Sequence, residues 1–225
     1  MKICLATRDS ADTVWQEKFD KIEKTDVIVF GYNGLGLISY KKELSGETEY
    51  FQDLARLSKT AGAVVISGCD TDTYGVFRHS AVIADKGRLL GVSDSVYSID
   101  DGEFVPGGNL KVYDTSAGKI GICVAEDLYF PQVFESLSLF DADLIVCVFK
   151  QENETMNFMF RAGAFVGGLD CVLVAKGYGC VADAKGKVSV SGRDNFVRAE
   201  IMPTREYKKI STKKRGYGKS PESAY

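Results

Sequence analysis

Short apolar runs recur along the chain, and most are rich in β-branched residues. They cover residues 2–6, 27–30, 63–67, 80–84, 121–124, 144–149 and 171–175. Each is of strand length and predicts a strand. Between several of them the apolar spacing changes to a helical period. Residues 11–24 place Val14, Trp15, Phe19 and Ile22 on one face, and 47–61 place Tyr50, Phe51, Leu54 and Leu57 likewise. Two further helices are expected over 131–140 and 153–168, with Pro131 in the first turn of the former. Two antiparallel hairpins are expected over 80–90 and 180–190, turning at Asp85-Lys86-Gly87 and Ala184-Lys185-Gly186. Alternating strands and helices with local hairpins predict an α/β layered fold with mixed sheets.

Composition changes this picture little. The chain has 225 residues, 45% of them hydrophobic, and a net charge of −3. That suits one domain, expected over 1–210, with a basic C-terminal tail over 211–225. It gives no overall electrostatic pull toward nucleic acid. No apolar run reaches the length of a membrane helix, and the first residues lack a secretory pattern. Neither nucleic acid nor membrane is therefore expected as a partner. The six cysteines form no C-x-x-C pair, so no metal site is expected. Most lie inside apolar runs and read as reduced core residues of a cytoplasmic protein.

The most specific segment runs Gly118-Lys119-Ile120-Gly121-Ile122-Cys123-Val124-Ala125-Glu126-Asp127-Leu128-Tyr129-Phe130-Pro131. It resembles the nucleophile motif of the carbon–nitrogen hydrolase (nitrilase) superfamily, most closely in amidases and the glutaminase domains of NAD synthetases. Further similar segments follow in the family's order. They are the strand 26–30, the hairpin 79–87, the turn Glu103-Phe104-Val105-Pro106-Gly107, the strand start Asp141-Ala142-Asp143, the helix start Arg161-Ala162 and the hairpin turn at 183–186. The resemblance implies an α-β-β-α sandwich, usually paired through its helices into a dimer, and implies no cofactor.

The family reaction uses a cysteine thiolate, a glutamate base and a lysine that stabilises developing negative charge. At the matching positions this chain has Ala125, Tyr32 and Ser95. A methyl group cannot attack, a phenol is a poor base at neutral pH, and a hydroxyl carries no charge. The resemblance therefore implies a catalytically degenerate member that serves as a binding, regulatory or partner subunit. The alternative is a hydrolase of a C–N or ester bond that uses rearranged residues. Cys123 shares strand parity with position 125 and is expected on the same side, though deeper. His79, the only histidine, is expected outside the catalytic cluster. Lys150 and Lys176 each follow an apolar strand, where ligands of layered α/β folds tend to bind. With Tyr32 and Ser95 nearby, they are expected either to hold a small anionic ligand or to pair with Glu126 and Asp127. Asp127 is expected to cap the turn into the next helix.

Overall fold

The computed structural model describes residues 1–22, 24–32, 34–99 and 102–203; the basic tail over 211–225 lies outside them. Among the described residues, five helices and thirteen strands follow one another. They are β1 (Lys2–Ala6), α1 (Ala11–Glu17), β2 (Val27–Phe30), β3 (Leu37–Ser39), α2 (Tyr40–Ser45), α3 (Tyr50–Ala61), β4 (Val64–Thr73), β5 (Val76–Asp85), β6 (Arg88–Asp94), β7 (Val112–Thr115), β8 (Gly118–Val124), α4 (Pro131–Leu139), β9 (Leu144–Gln151), α5 (Glu154–Gly167), β10 (Cys171–Lys176), β11 (Tyr178–Ala182), β12 (Val188–Gly192) and β13 (Phe196–Glu200).

The strands form two mixed sheets. One has the order β13-β1-β2-β4-β5-β6, with β3 beside the far half of β4, and the other has the order β12-β11-β10-β9-β8-β7. Each sheet has three parallel strands at its centre and antiparallel strands outside them. The period-two alternation of the strands sorts their side chains into layers. Ile3, Leu5, Val27, Val29, Val64 and Ile66 meet Val124, Val146, Val172 and Val174 in a core between the sheets. Their neighbours Cys4, Ile28 and Val65 face the other way, with Val14, Leu54 and Leu57 of α1 and α3. On the second sheet, Ile145, Cys147 and Leu173 pack with Val133, Phe134 and Phe160 of α4 and α5. The result is the four-layer α-β-β-α sandwich, with the central strands apolar on both faces because both faces are covered.

The seven expected strands all form, and β4, β5 and β9 run further than the apolar runs suggest. The expected helix over 11–24 breaks. Lys18 leaves the helical region at φ −134°, and its ammonium group reaches back to Asp9 at 2.8 Å, leaving only a 3-10 turn at Phe19–Lys21. The helix expected from 47 starts at Tyr50, because the Glu43 carboxylate accepts the free backbone N–H groups of Tyr50 and Phe51. The turn into α4 is opened by Ala125 in the left-handed region, at φ 48°. For a residue with a β-carbon this costs on the order of 1 kcal/mol.

Candidate functional site

At the end of β2 the chain turns through Gly31 into Tyr32, whose side chain is buried. Gly68 on β4 makes this approach possible, since a β-carbon there would lie 2.6 Å from the Tyr32 Cα. The neighbouring hairpin supplies the phenol's partners. Tyr74 and Gly75, both at positive φ, form its two-residue turn, and the antiparallel register then sets Asp70 of β4 opposite His79 of β5. The Tyr32 hydroxyl donates to Asp70 Oδ1 at 2.6 Å and also touches His79 Nδ1. His79 Nδ1 lies 2.7 Å from the same carboxylate oxygen. The imidazole stacks on Phe104, with ring centroids 3.8 Å apart. On the far side of the ring, His79 Nε2 lies 2.8 Å from Lys150 Nζ, which comes from β9 of the opposite sheet. Lys150 Nζ is also 3.6 Å from Glu126 Oε1 and sits over the Tyr32 and Phe104 rings, 5.8 and 5.6 Å from their centroids.

The protons of this chain follow from the partners. Burial, then the hydrogen bond to Asp70 and the negative charges of Asp70 and Glu126, push the Tyr32 hydroxyl well above the ordinary phenol range, so it stays a donor. Asp70 Oδ1 accepts, which places the imidazole hydrogen on Nδ1 and leaves Nε2 as an acceptor for the Lys150 ammonium. The order is therefore carboxylate, imidazole, amine.

Beside this chain lies a cavity of about 90 Å³, lined by Arg8, Asp9, Gly31, Tyr32, Lys150 and Lys176 among others. Asp9 is already paired with Lys18. Arg8 and Lys176 make no ion pair among the described residues. The cavity thus gathers three cationic side chains in a protein whose net charge is −3.

Several expectations change. His79 is not outside the cluster but at its centre, because β4 and β5 extend beyond their apolar runs and carry Asp70 and His79 toward Tyr32. Cys123 does not share a side with residue 125. It faces α4 and α5 with Cys147, while Ala125 faces the core between the sheets. Strand alternation ends at Val124, and the positive φ of Ala125 reverses its direction. The Cys123 side chain is not among those lining the pocket, and burial pushes its thiol well above its ordinary range. The Ser95 hydroxyl is engaged elsewhere. It donates to the Tyr97 carbonyl at 2.7 Å and lies 3.1 Å from Asp127 Oδ1. Asp127 does not cap the turn into α4, which has no side-chain cap; its carboxylate instead accepts the backbone N–H groups of Val96 and Tyr97, each at 2.9 Å. Of the two lysine–carboxylate pairings, Lys150 with Glu126 forms, and Asp127 is committed to the 95–97 loop. Lys150 and Lys176 both line one cavity.

No family model matches the chain. A curated protein of Schizosaccharomyces pombe, described as a probable nitrilase, is 26% identical over 149 residues, spanning 62% of this chain and 55% of that relative. Solved structures match almost end to end. Saccharomyces cerevisiae Nit3, of branch 10 of the nitrilase superfamily, superposes with a TM-score of 0.77 at 14% identity, covering 99% of this chain and 96% of that one. A carbon–nitrogen hydrolase from Helicobacter pylori gives 0.75 at 17% identity, covering 96% and 94%. A cysteine-to-alanine variant of an amidase from Nesterenkonia sp. AN1, in complex with butyramide, gives 0.72 at 14%, covering 96% and 97%. With its two mixed sheets, the chain has the fold of these nitrilase-superfamily structures, and it spans about half the length of the curated relative it matches.

Proposed function

We propose that this chain is a nitrilase-superfamily protein that has lost the family's hydrolytic chemistry and acts as a binding or regulatory subunit for a small anion. The observation that carries the reading is Ala125, a methyl group at the position matched to the nucleophile, in a turn where it takes a positive φ. Tyr32 and Ser95, at the positions matched to the base and the lysine, support it. One is held protonated by its surroundings, and the other is engaged by Tyr97 and Asp127. A ligand site outlives such a loss: the Nesterenkonia amidase variant with alanine in place of cysteine still holds butyramide. The alternative, a hydrolase with rearranged residues, draws no support from Ser95, whose hydroxyl is engaged elsewhere, or from Cys123, which faces α4 and α5.

Arg8, Lys150 and Lys176 supply the attraction for an anion. A thermal-shift panel of phosphate, short carboxylates and nucleotides tests the site. A bound anion at about one hundred times its dissociation constant adds about 2.7 kcal/mol, a rise of roughly 5–10 °C for a chain of this size. Arg8→Ala with Lys176→Ala abolishes the rise, and no shift with any anion defeats the site.

The subunit is further proposed to pair through its outer helices. Phe158 and Phe165 of α5, seven residues apart on one helical face, are 69% and 54% exposed, and Leu139 and Phe140 at the end of α4 are 71% and 57% exposed. Glutamate at both Phe158 and Phe165 is expected to convert a dimer to a monomer in sedimentation equilibrium. A wild-type chain that sediments as a monomer contradicts the pairing. All six cysteines are unpaired thiols, which supports a reducing, cytoplasmic setting.

A further inference from the structure

Resting on the anion site proposed above, we propose that Lys150 is a nucleophilic amine that captures a short aldehyde or ketone bearing a carboxylate, holding it as an imine.

Three independent features meet at the amine. The first is the order Asp70, His79, Lys150, at 2.7 and 2.8 Å. A carboxylate fixes the imidazole through Nδ1, and Nε2 faces the group to be deprotonated, which is the arrangement that activates nucleophiles on many unrelated folds. The second is position. Lys150 forms one wall of the cavity, its side chain is 38% exposed, and so Nζ reaches a ligand from outside. The third is the company it keeps. Arg8 and Lys176 line the same cavity and can hold a carboxylate while the neighbouring carbonyl carbon meets Nζ. A purely structural ion pair requires only Glu126. It does not require a histidine that is itself held by Asp70, Tyr32 and the face of Phe104.

The step balances without an oxidant or reductant. The Lys150 ammonium gives a proton to His79 Nε2. The freed lone pair on Nζ forms a bond to the carbonyl carbon as the carbonyl π electrons move to oxygen, and a proton then passes from that nitrogen to the oxygen to give a neutral carbinolamine with its nitrogen lone pair restored. The nitrogen lone pair then expels the hydroxyl group, which takes the proton from His79 and leaves as water. Ammonium and carbonyl have become a protonated imine and water, with His79 neutral again.

The full chain is incubated with glyoxylate and sodium cyanoborohydride, which reduces the imine to a stable secondary amine, and the product is mapped by peptide mass spectrometry. Lys150 is expected to carry the adduct at least about tenfold above any other lysine. Lys150→Arg, which keeps the charge but cannot form the imine, loses it. Asp70→Asn slows labelling by about 100-fold, the usual contribution of a positioned base, and changes the pH dependence of the labelling rate. Propionate, which has the carboxylate and no carbonyl, slows labelling by competition. Adducts spread evenly over the lysines, or labelling of Lys150 at an unchanged rate in Asp70→Asn, overturn the proposal. If propionate or phosphate still raises the melting temperature while Lys150 stays unlabelled, the imine fails and the anion site stands. If neither occurs, both fail.

Discussion

Replacing Asp127 with alanine is expected to destabilise the protein by roughly 2–4 kcal/mol, because the Val96 and Tyr97 N–H groups lose their acceptor. This carboxylate ties the turn after β8 to the loop after β6, so it fixes the segment that carries both Ala125 and Glu126. It also sets a pH dependence. Burial pushes Asp127 up to about 6 from its ordinary value, against the lowering effect of its hydrogen bonds to Tyr97, Val96 and Ser95. Between about pH 4 and 6 the folded chain therefore holds a proton that the unfolded chain has released. Bound protons are then fewer in the unfolded state, and stability falls as pH rises. The expected loss across that window is on the order of 2–3 kcal/mol, since each pH unit between the unfolded and folded titrations contributes about 1.4 kcal/mol. Asp127→Asn keeps an accepting oxygen and cannot ionise. Urea midpoints measured from pH 4 to 7 should show the fall in the wild type and its disappearance in Asp127→Asn. Parallel pH profiles for the two proteins would contradict the assignment.

Adding one methyl group at Gly68 is expected to be as damaging. The new carbon would lie 2.6, 2.8 and 3.0 Å from Tyr32 Cα, O and C, all of them backbone atoms that no side-chain rotation can move. The strand or the Tyr32 turn must shift, at a cost of about 3 kcal/mol. For a chain of this length that corresponds to a melting temperature lower by roughly 6–12 °C. Displacing Tyr32 also disturbs its bond to Asp70 and the wall of the cavity, so the anion-induced thermal shift should shrink together with stability. A Gly68→Ala protein that melts within about a degree of the wild type would show that the close approach carries no such constraint.

The framework was legible because its signals are local. Apolar runs located the seven central strands, and the Lys-Gly turns located two hairpins. A third hairpin, at Tyr74-Gly75, was present in the sequence and would have paired Asp70 with His79, four residues to either side of the turn. It was obscured because β4 and β5 become polar there, as strands do where they leave the core and enter a site. The pairing of Lys150 with His79 was not legible. Lys150 approaches His79 from the second sheet, and the way two sheets stack is fixed by the packing of many side chains rather than by any short pattern. Cys123 illustrates a different failure. Counting by twos from residue 125 assumes an unbroken strand, and the left-handed residue at 125 ends the strand first. The matched positions Tyr32, Ser95 and Ala125 rest on the family resemblance, while the grouping of Tyr32 with Asp70, His79 and Lys150 emerges only in three dimensions.

The proposed loss of hydrolysis is tested most directly by steady-state assay of the wild-type chain on a panel of amides, nitriles and esters, with Cys123→Ala and Ser95→Ala as controls. Removing a catalytic nucleophile typically lowers turnover by on the order of a millionfold, and none of the three matched positions retains its chemical group. No turnover above the buffer rate is expected on any substrate, with both variants indistinguishable from the wild type. Robust turnover that disappears in either variant would contradict the account.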